Sequence, residues 1–136
     1  MRFLFVVAFL CSIQFVYATN YYFSSVSGDD SRTSAQAQNP ATPWKTLSKL
    51  NSFMSSLSAG DSILFKRGET FYGSIVITKS GTAANPIRFG AFGTGSKPVI
   101  SGFTTINEWT SLGSNLWESN IAASALNSTN MVLVNG

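Results

Sequence analysis

The apolar residues of this chain change rhythm twice. Phe3 to Val16 is an apolar run with little polar interruption. Asn20 to Ser24 is a short β-prone segment, and Ser24 to Ala41, "SSVSGDDSRTSAQAQNPA", is polar throughout. That stretch offers nothing to build a core and reads as a long surface loop. Next, Trp44, Leu47, Leu50, Met54 and Leu57 recur at a spacing of three to four, which puts them on one face of an amphipathic helix. Thr42 can cap it, Pro43 suits its first position, and Ala59-Gly60 ends it. Past Gly60 the segments become short and rich in Ile, Val and Phe: "SILFK", "FYGSIVIT", "IRFGAF" and "VISGF". The breaks between them, "RGET", "KSGTAANP" and "GTGSKP", are turn chemistry. Ile75-Val76-Ile77 is continuously apolar, like a buried strand. "INEWT", "NLWES", a weak segment with Ile121 and Leu126, and a strand from Met131 to Val134 follow.

No helical pattern separates these strands, which excludes a doubly wound parallel sheet. A sandwich, a barrel and a solenoid of short stacked strands remain. The single helix ahead of the first long strand favours the solenoid, because a first coil needs a cap with one apolar and one polar face. The expected division is therefore residues 1–18 as leader, 19–41 as short strand and polar loop, 42–59 as capping helix and 60–136 as the first coils.

The leader has the form of a secretory signal: Arg2, an apolar run, then Val16-Tyr17-Ala18 with small residues where a signal peptidase cuts. Cleavage is expected after Ala18. The run is short for a membrane span, which needs about 20 apolar residues, so no membrane association is expected once it is removed. Cys11 is the sole cysteine and leaves with the leader, so the secreted chain has neither disulfide nor thiol chemistry. The formal charge is +3 and only 11% of residues are charged. Lys45, Lys49, Lys66, Arg67, Lys79, Arg88 and Lys97 are scattered, which argues against nucleic acid.

The chain has no histidine, which removes Ser-His-Asp catalysis and histidine zinc sites. In "GAFGTGSK", Gly90 and Gly95 have P-loop spacing, but Ser96 stands where lysine is required. Gly93 and Gly95 would need a third glycine at Pro98 to bind a dinucleotide, and no helix follows. No cofactor and no metal site is expected in the chain itself. The carboxylates are Asp29, Asp30, Asp61, Glu69, Glu108 and Glu118. A glycoside hydrolase needs two of them roughly 5–10 Å apart. Asp29-Asp30 could converge on a cation or form a solvated turn. Asp61 reads as a strand-start residue, and Glu69 as a partner of Lys66 or Arg67. Trp44 reads as a core contact, while Trp109, Trp117, Tyr21, Tyr22 and Tyr72 are candidates for stacking on sugars. Asn127-Ser128-Thr129 is a glycosylation sequon where the host glycosylates.

"YYFSSVSGDD", "NPATPWKTLSKLN", "LSAGDSILFKRGETFYGSIVI", "SGTAANPIRFGAFGTGSKPVISG" and "NLWES", in that order, resemble the start of secreted right-handed parallel β-helix proteins of the pectate-lyase-like superfamily. The resemblance runs from about Tyr21 to Gly102. It implies an all-β, right-handed parallel β-helix with an N-terminal capping helix, of which only the first coils are present. Its members are far longer, so "MVLVNG", an apolar strand ending on a turn dipeptide, is expected to lead into a further strand. The function implied is that of an N-terminal fragment of an extracellular polysaccharide lyase, with an acidic polysaccharide as partner and calcium as a possible cofactor of the full-length parent. The alternative is a non-catalytic surface or matrix glycan-binding module. The superfamily's catalytic groups lie on central coils, so the catalytic residues stay unassigned and no activity is expected of the fragment. Self-association through the open strand at Met131 to Val134 is expected as well.

Overall fold

The computed structural model describes residues 18–103 and 108–119. The leader up to Tyr17, the sequon at Asn127 and the strand expected at Met131 to Val134 lie outside these residues.

Among the described residues, seven strands form three small sheets. In the first, β1 (Asn20–Phe23), β2 (Ser62–Lys66) and β4 (Arg88–Phe92) pair in parallel, with Tyr21, Ile63 and Phe89 in one column and Phe23, Phe65 and Ala91 in the next. In the second, β3 (Thr70–Tyr72) and β5 (Val99–Ser101) are parallel, with Phe71 opposite Ile100. The third is an antiparallel hairpin of β6 (Thr110–Gly113) and β7 (Leu116–Glu118).

This arrangement corrects the expected right-handed parallel β-helix. The described strands belong to separate sheets of two or three, and no solenoid or closed sheet runs through them. The cause is local. Gly73, at φ 120°, ends β3 after three residues. Ile75-Val76-Ile77, expected as a buried strand, makes no ladder. Instead the Asn51 side chain donates to Ser74 O (2.9 Å) and accepts from the Val76 N–H (2.9 Å), and Val76 and Ile77 are exposed. Farther on, Ser114 and Asn115 both take positive φ, 49° and 62°. Two such residues form the tight turn that sends a strand back against its neighbour, so the chain reverses there.

The helix is shorter than its apolar spacing predicts. α1 spans Leu47–Phe53 and tightens into a single 3-10 turn at Met54–Ser56. Its cap is Thr46, whose side chain accepts from the Lys49 N–H at 3.1 Å, rather than Thr42. Pro43-Trp44 stays extended because Trp44 bridges Phe23 in parallel, with Trp44 N–H to Tyr22 O at 2.9 Å and Ser24 N–H to Trp44 O at 2.8 Å. The five apolar residues at helical spacing are nonetheless all buried.

Trp44 centres the core. It stacks on Tyr21 (centroids 5.8 Å apart, planes 4° apart) and meets Phe53 edge-on at 4.8 Å. Its indole N–H donates to Arg32 O at 2.7 Å, and the Lys49 ammonium lies 5.1 Å from its ring centroid. The polar stretch from Ser24 to Ala41 is therefore no loose loop. Ser24 and Ala37 are fully buried, and the Gly28 N–H donates to Ser24 O at 2.9 Å. A Cβ on Gly28 would collide with the backbone oxygens of Ser24 and Trp44, so this position must be glycine.

Candidate functional site

The carboxylates decide what chemistry the described residues can perform. Glu69, just ahead of β3, has a side chain 8% exposed. It accepts from Ser24 Oγ (2.9 Å), Ser25 N–H (2.6 Å), Ser25 Oγ (3.2 Å) and Val26 N–H (3.4 Å), and Lys66 Nζ stands 3.5 Å away. Burial pushes its pKa up, but the bonds from Ser24, Ser25 and Val26 outweigh burial and hold it below the ordinary value. A carboxylate held ionised in this way is unsuited to donate a proton to a leaving group. The expected pairing with Lys66 is present, whereas the serine cage was not legible in the sequence. Ser24 and Ser25 stand more than forty positions upstream, and only parallel pairing of β1 with β2 brings them alongside.

Asp61, 3% exposed, closes the start of β2. Its Oδ1 accepts from Thr19 N–H at 2.9 Å and its Oδ2 from Ser58 N–H at 2.8 Å. Tyr21 has its pKa raised, first by burial and then by the charge of Asp61.

Asp29 and Asp30 do not converge. Asp29 accepts from Ser31 N–H at 2.9 Å, a bond that leads its pKa downward. Asp30 turns to the helix entry, accepting from Lys45 N–H (2.7 Å), Thr46 N–H (3.1 Å) and Thr46 Oγ1 (2.6 Å). Among the described residues no three of His, Cys, Asp and Glu come together as metal ligands. Glu108 and Glu118 are exposed, with Glu118 on the hairpin strand β7.

Two concavities accompany these groups. The larger, about 420 Å³, is an apolar hollow walled by Phe65, Ile75, Ile77, Phe89 and Ile100, with Arg67 and Lys97 at its lining and no carboxylate. The smaller, about 170 Å³, adjoins Glu69 and is lined by Ser25, Lys45, Thr46, Leu47, Thr70, Phe71 and Tyr72. The side-chain hydroxyls lie at the smaller one. Phe71 and Leu47 are buried beneath it, Tyr72 is 60% exposed, and hydroxyls and an ammonium surround it. An apolar floor with an aromatic wall and hydrogen-bonding groups suits a sugar ring. Of the other stacking candidates, Tyr21 is buried, Tyr22 packs edge-on against Phe92 at 4.9 Å, and Trp109 and Trp117 are 45% and 58% exposed. Lys66-Arg67, the one basic pair, supplies no free base. Lys66 faces Glu69, and an Arg67 guanidinium N–H lies 3.5 Å from Gly95 O. Gly93 and Gly95 take positive φ, as turn residues do, and Gly68 N–H donates to Ser96 O at 2.9 Å.

No family model matches the chain. A lacto-N-biosidase of Bifidobacterium longum subsp. longum is 38% identical over 87 residues, covering 61% of this chain and 5% of that protein. The crystal structure of a GH136 lacto-N-biosidase from Eubacterium ramulus, as its selenomethionine derivative, matches with 36% identity and a TM-score of 0.50, covering 59% of this chain and 12% of that one. The chain thus spans a small part of the length of the proteins it matches. These similarities overturn the resemblance to pectate-lyase-like proteins and the polysaccharide-lyase function drawn from it: the proteins similar to this chain are glycoside hydrolases.

Proposed function

We propose that the chain serves glycoside hydrolysis, as a segment of a secreted protein of the GH136 lacto-N-biosidase kind that acts on a glycan. The observation that carries this reading is the match to the Eubacterium ramulus enzyme at 36% identity with TM-score 0.50. Secretion rests on the leader and its cleavage after Ala18, where the small residues of a signal-peptidase site stand. Within this reading the described residues support and position. Asp30, Asp61 and Glu69 hold backbone N–H groups, so they are not the pair of carboxylates that would flank a glycosidic bond. The groove beside Glu69 offers the surface on which a sugar ring of the glycan rests. An acidic chain would call for an unpaired basic cluster, and the Lys66-Arg67 pair is engaged by Glu69 and Gly95.

The test is a hybrid enzyme. The matching segment of this chain replaces its counterpart in the Eubacterium ramulus enzyme, and hydrolysis of a chromogenic lacto-N-bioside is measured. The hybrid is expected to release the chromophore. A hybrid that folds and melts cooperatively yet releases none contradicts the proposal.

A further inference from the structure

Asp61 is a buried charge with no lysine or arginine paired to it among the described residues. There it and Ser24 are the buried polar side chains, and the ion pair found joins Lys66 to Glu69 instead. The Asp61 carboxylate accepts two backbone N–H groups, from Thr19 at Oδ1 (2.9 Å) and from Ser58 at Oδ2 (2.8 Å). Two neutral donors ease its burial, but a buried charge is costly unless an opposite charge meets it. Its charge is felt in the core, where it is the second cause, after burial, of the raised Tyr21 pKa.

The donor at Oδ1 is the nitrogen that leader removal sets free. Ala18, after which cleavage is expected, is exposed, so taking it away removes nothing from the core. Thr19 is held from its other side. Its carbonyl oxygen accepts from Ser62 N–H at 2.8 Å, and Asn20 stands opposite Ser62 in the parallel register of β1 and β2. The sheet, rather than Ala18, fixes the Thr19 nitrogen in front of Asp61.

We propose that Asp61 is the receptor for the processed N-terminus: the Thr19 α-ammonium forms an ion pair with its carboxylate, and leader removal thereby locks the start of β1 to β2. This rests on the cleavage after Ala18 proposed above. Hydrolysis breaks the C–N bond between Ala18 and Thr19. The hydroxyl of water goes to the Ala18 carbonyl carbon and its hydrogen to the Thr19 nitrogen. That nitrogen takes a further proton from solvent at neutral pH, because an α-amine titrates near about 8. A neutral donor 2.9 Å from the carboxylate is replaced by a cation in the same place, and charge-assisted bonds are roughly twice as strong as neutral ones.

The test begins with the chain expressed with its own leader in a secreting host and weighed by mass spectrometry. A first residue of Thr19 is expected; any other first residue overturns both the cleavage site and the proposal. Two chains are then compared by urea denaturation at pH 7, one beginning at Thr19 and one at Tyr17, which keeps the Thr19 N–H as an amide. The Thr19 chain is expected to have an unfolding constant about tenfold smaller. With Asp61→Asn in both, the difference is expected to fall below about threefold. Equal stability of the two wild-type chains, or a difference unchanged by Asp61→Asn, overturns the docking while leaving the cleavage site and the glycan-hydrolysis reading intact. An NMR titration of the Thr19 amine in the folded wild type gives a second readout that needs no variant. Asp61 and the Tyr21 hydroxyl are the titratable groups beside it. The amine is expected to titrate at least about one unit above its ordinary value, and titration at or below that value overturns the proposal.

Discussion

Glu69 shows how much a single residue can organise. Its carboxylate receives two hydroxyls and two backbone N–H groups from Ser24 to Val26, joining the start of the polar segment to the turn before β3. Glu69→Gln is expected to lower stability by about 1–3 kcal/mol, measured by urea denaturation, because bonds to a charged acceptor are lost or weakened in a largely buried place. The pH dependence follows from the lowered pKa. The unfolded carboxylate titrates near 4.5 and the folded one below it. Its stabilisation is therefore complete above the unfolded value and disappears as pH falls through the folded one. The wild type is expected to lose stability on acidification below about pH 4.5 more steeply than Glu69→Gln; parallel curves would contradict this. Gly28→Ala is expected to be among the most disruptive small substitutions, since the added methyl meets backbone rather than a movable side chain. Nothing in the sequence marks Gly28 out, because the two oxygens that exclude a Cβ belong to Ser24 and Trp44 and meet there only in the fold.

At the scale of elements, the chain is legible where apolar periodicity is strong and illegible where polar side chains choose the partner. Trp44, Leu47, Leu50, Met54 and Leu57 are found in the core as their spacing implies. The helix boundary is shifted because Trp44 is drawn into a bridge with Phe23, an interaction between residues 21 positions apart that spacing cannot reveal. Thr46→Ala is expected to cost about 1 kcal/mol as a lost helix cap, and more because Asp30 loses its hydroxyl partner. A thermal melt against the wild type measures this, and an unchanged melting temperature in Thr46→Ala would contradict the assignment of the cap. Ile75-Val76-Ile77 read as a strand by composition alone. Asn51 holds the backbone on either side of Ile75 instead, and no sequence pattern announces a helix side chain taking the place of a ladder. The groove beside Glu69 was equally hidden, since its parts come from β3, the helix entry and Ser25. Within the hybrid enzyme, Tyr72→Ala is expected to raise KM severalfold with little change in melting temperature, because an exposed ring contributes contact rather than packing.

For the molecule as a whole, the short strands and turn-rich breaks anticipated the abundance of β-structure but not its organisation into three small sheets. Apolar segments alone suggest one continuous ladder, but Gly73 and the Ser114-Asn115 turn end the ladders instead. The functional expectation failed for a different reason. Lyases and hydrolases of glycans both present aromatic and hydroxyl-bearing surfaces, and only the catalytic groups distinguish them. In the proposed function, the carboxylates of Asp61 and Glu69 hold the backbone together and hydrolysis falls to groups outside the described residues. The most direct test is the rate of lacto-N-bioside hydrolysis by the hybrid enzyme carrying Asp61→Asn or Glu69→Gln. A lower melting temperature is expected, with kcat within about twofold of the parent hybrid at a temperature where both are folded. A kcat reduced a hundredfold or more in either variant with the melting temperature unchanged would contradict it.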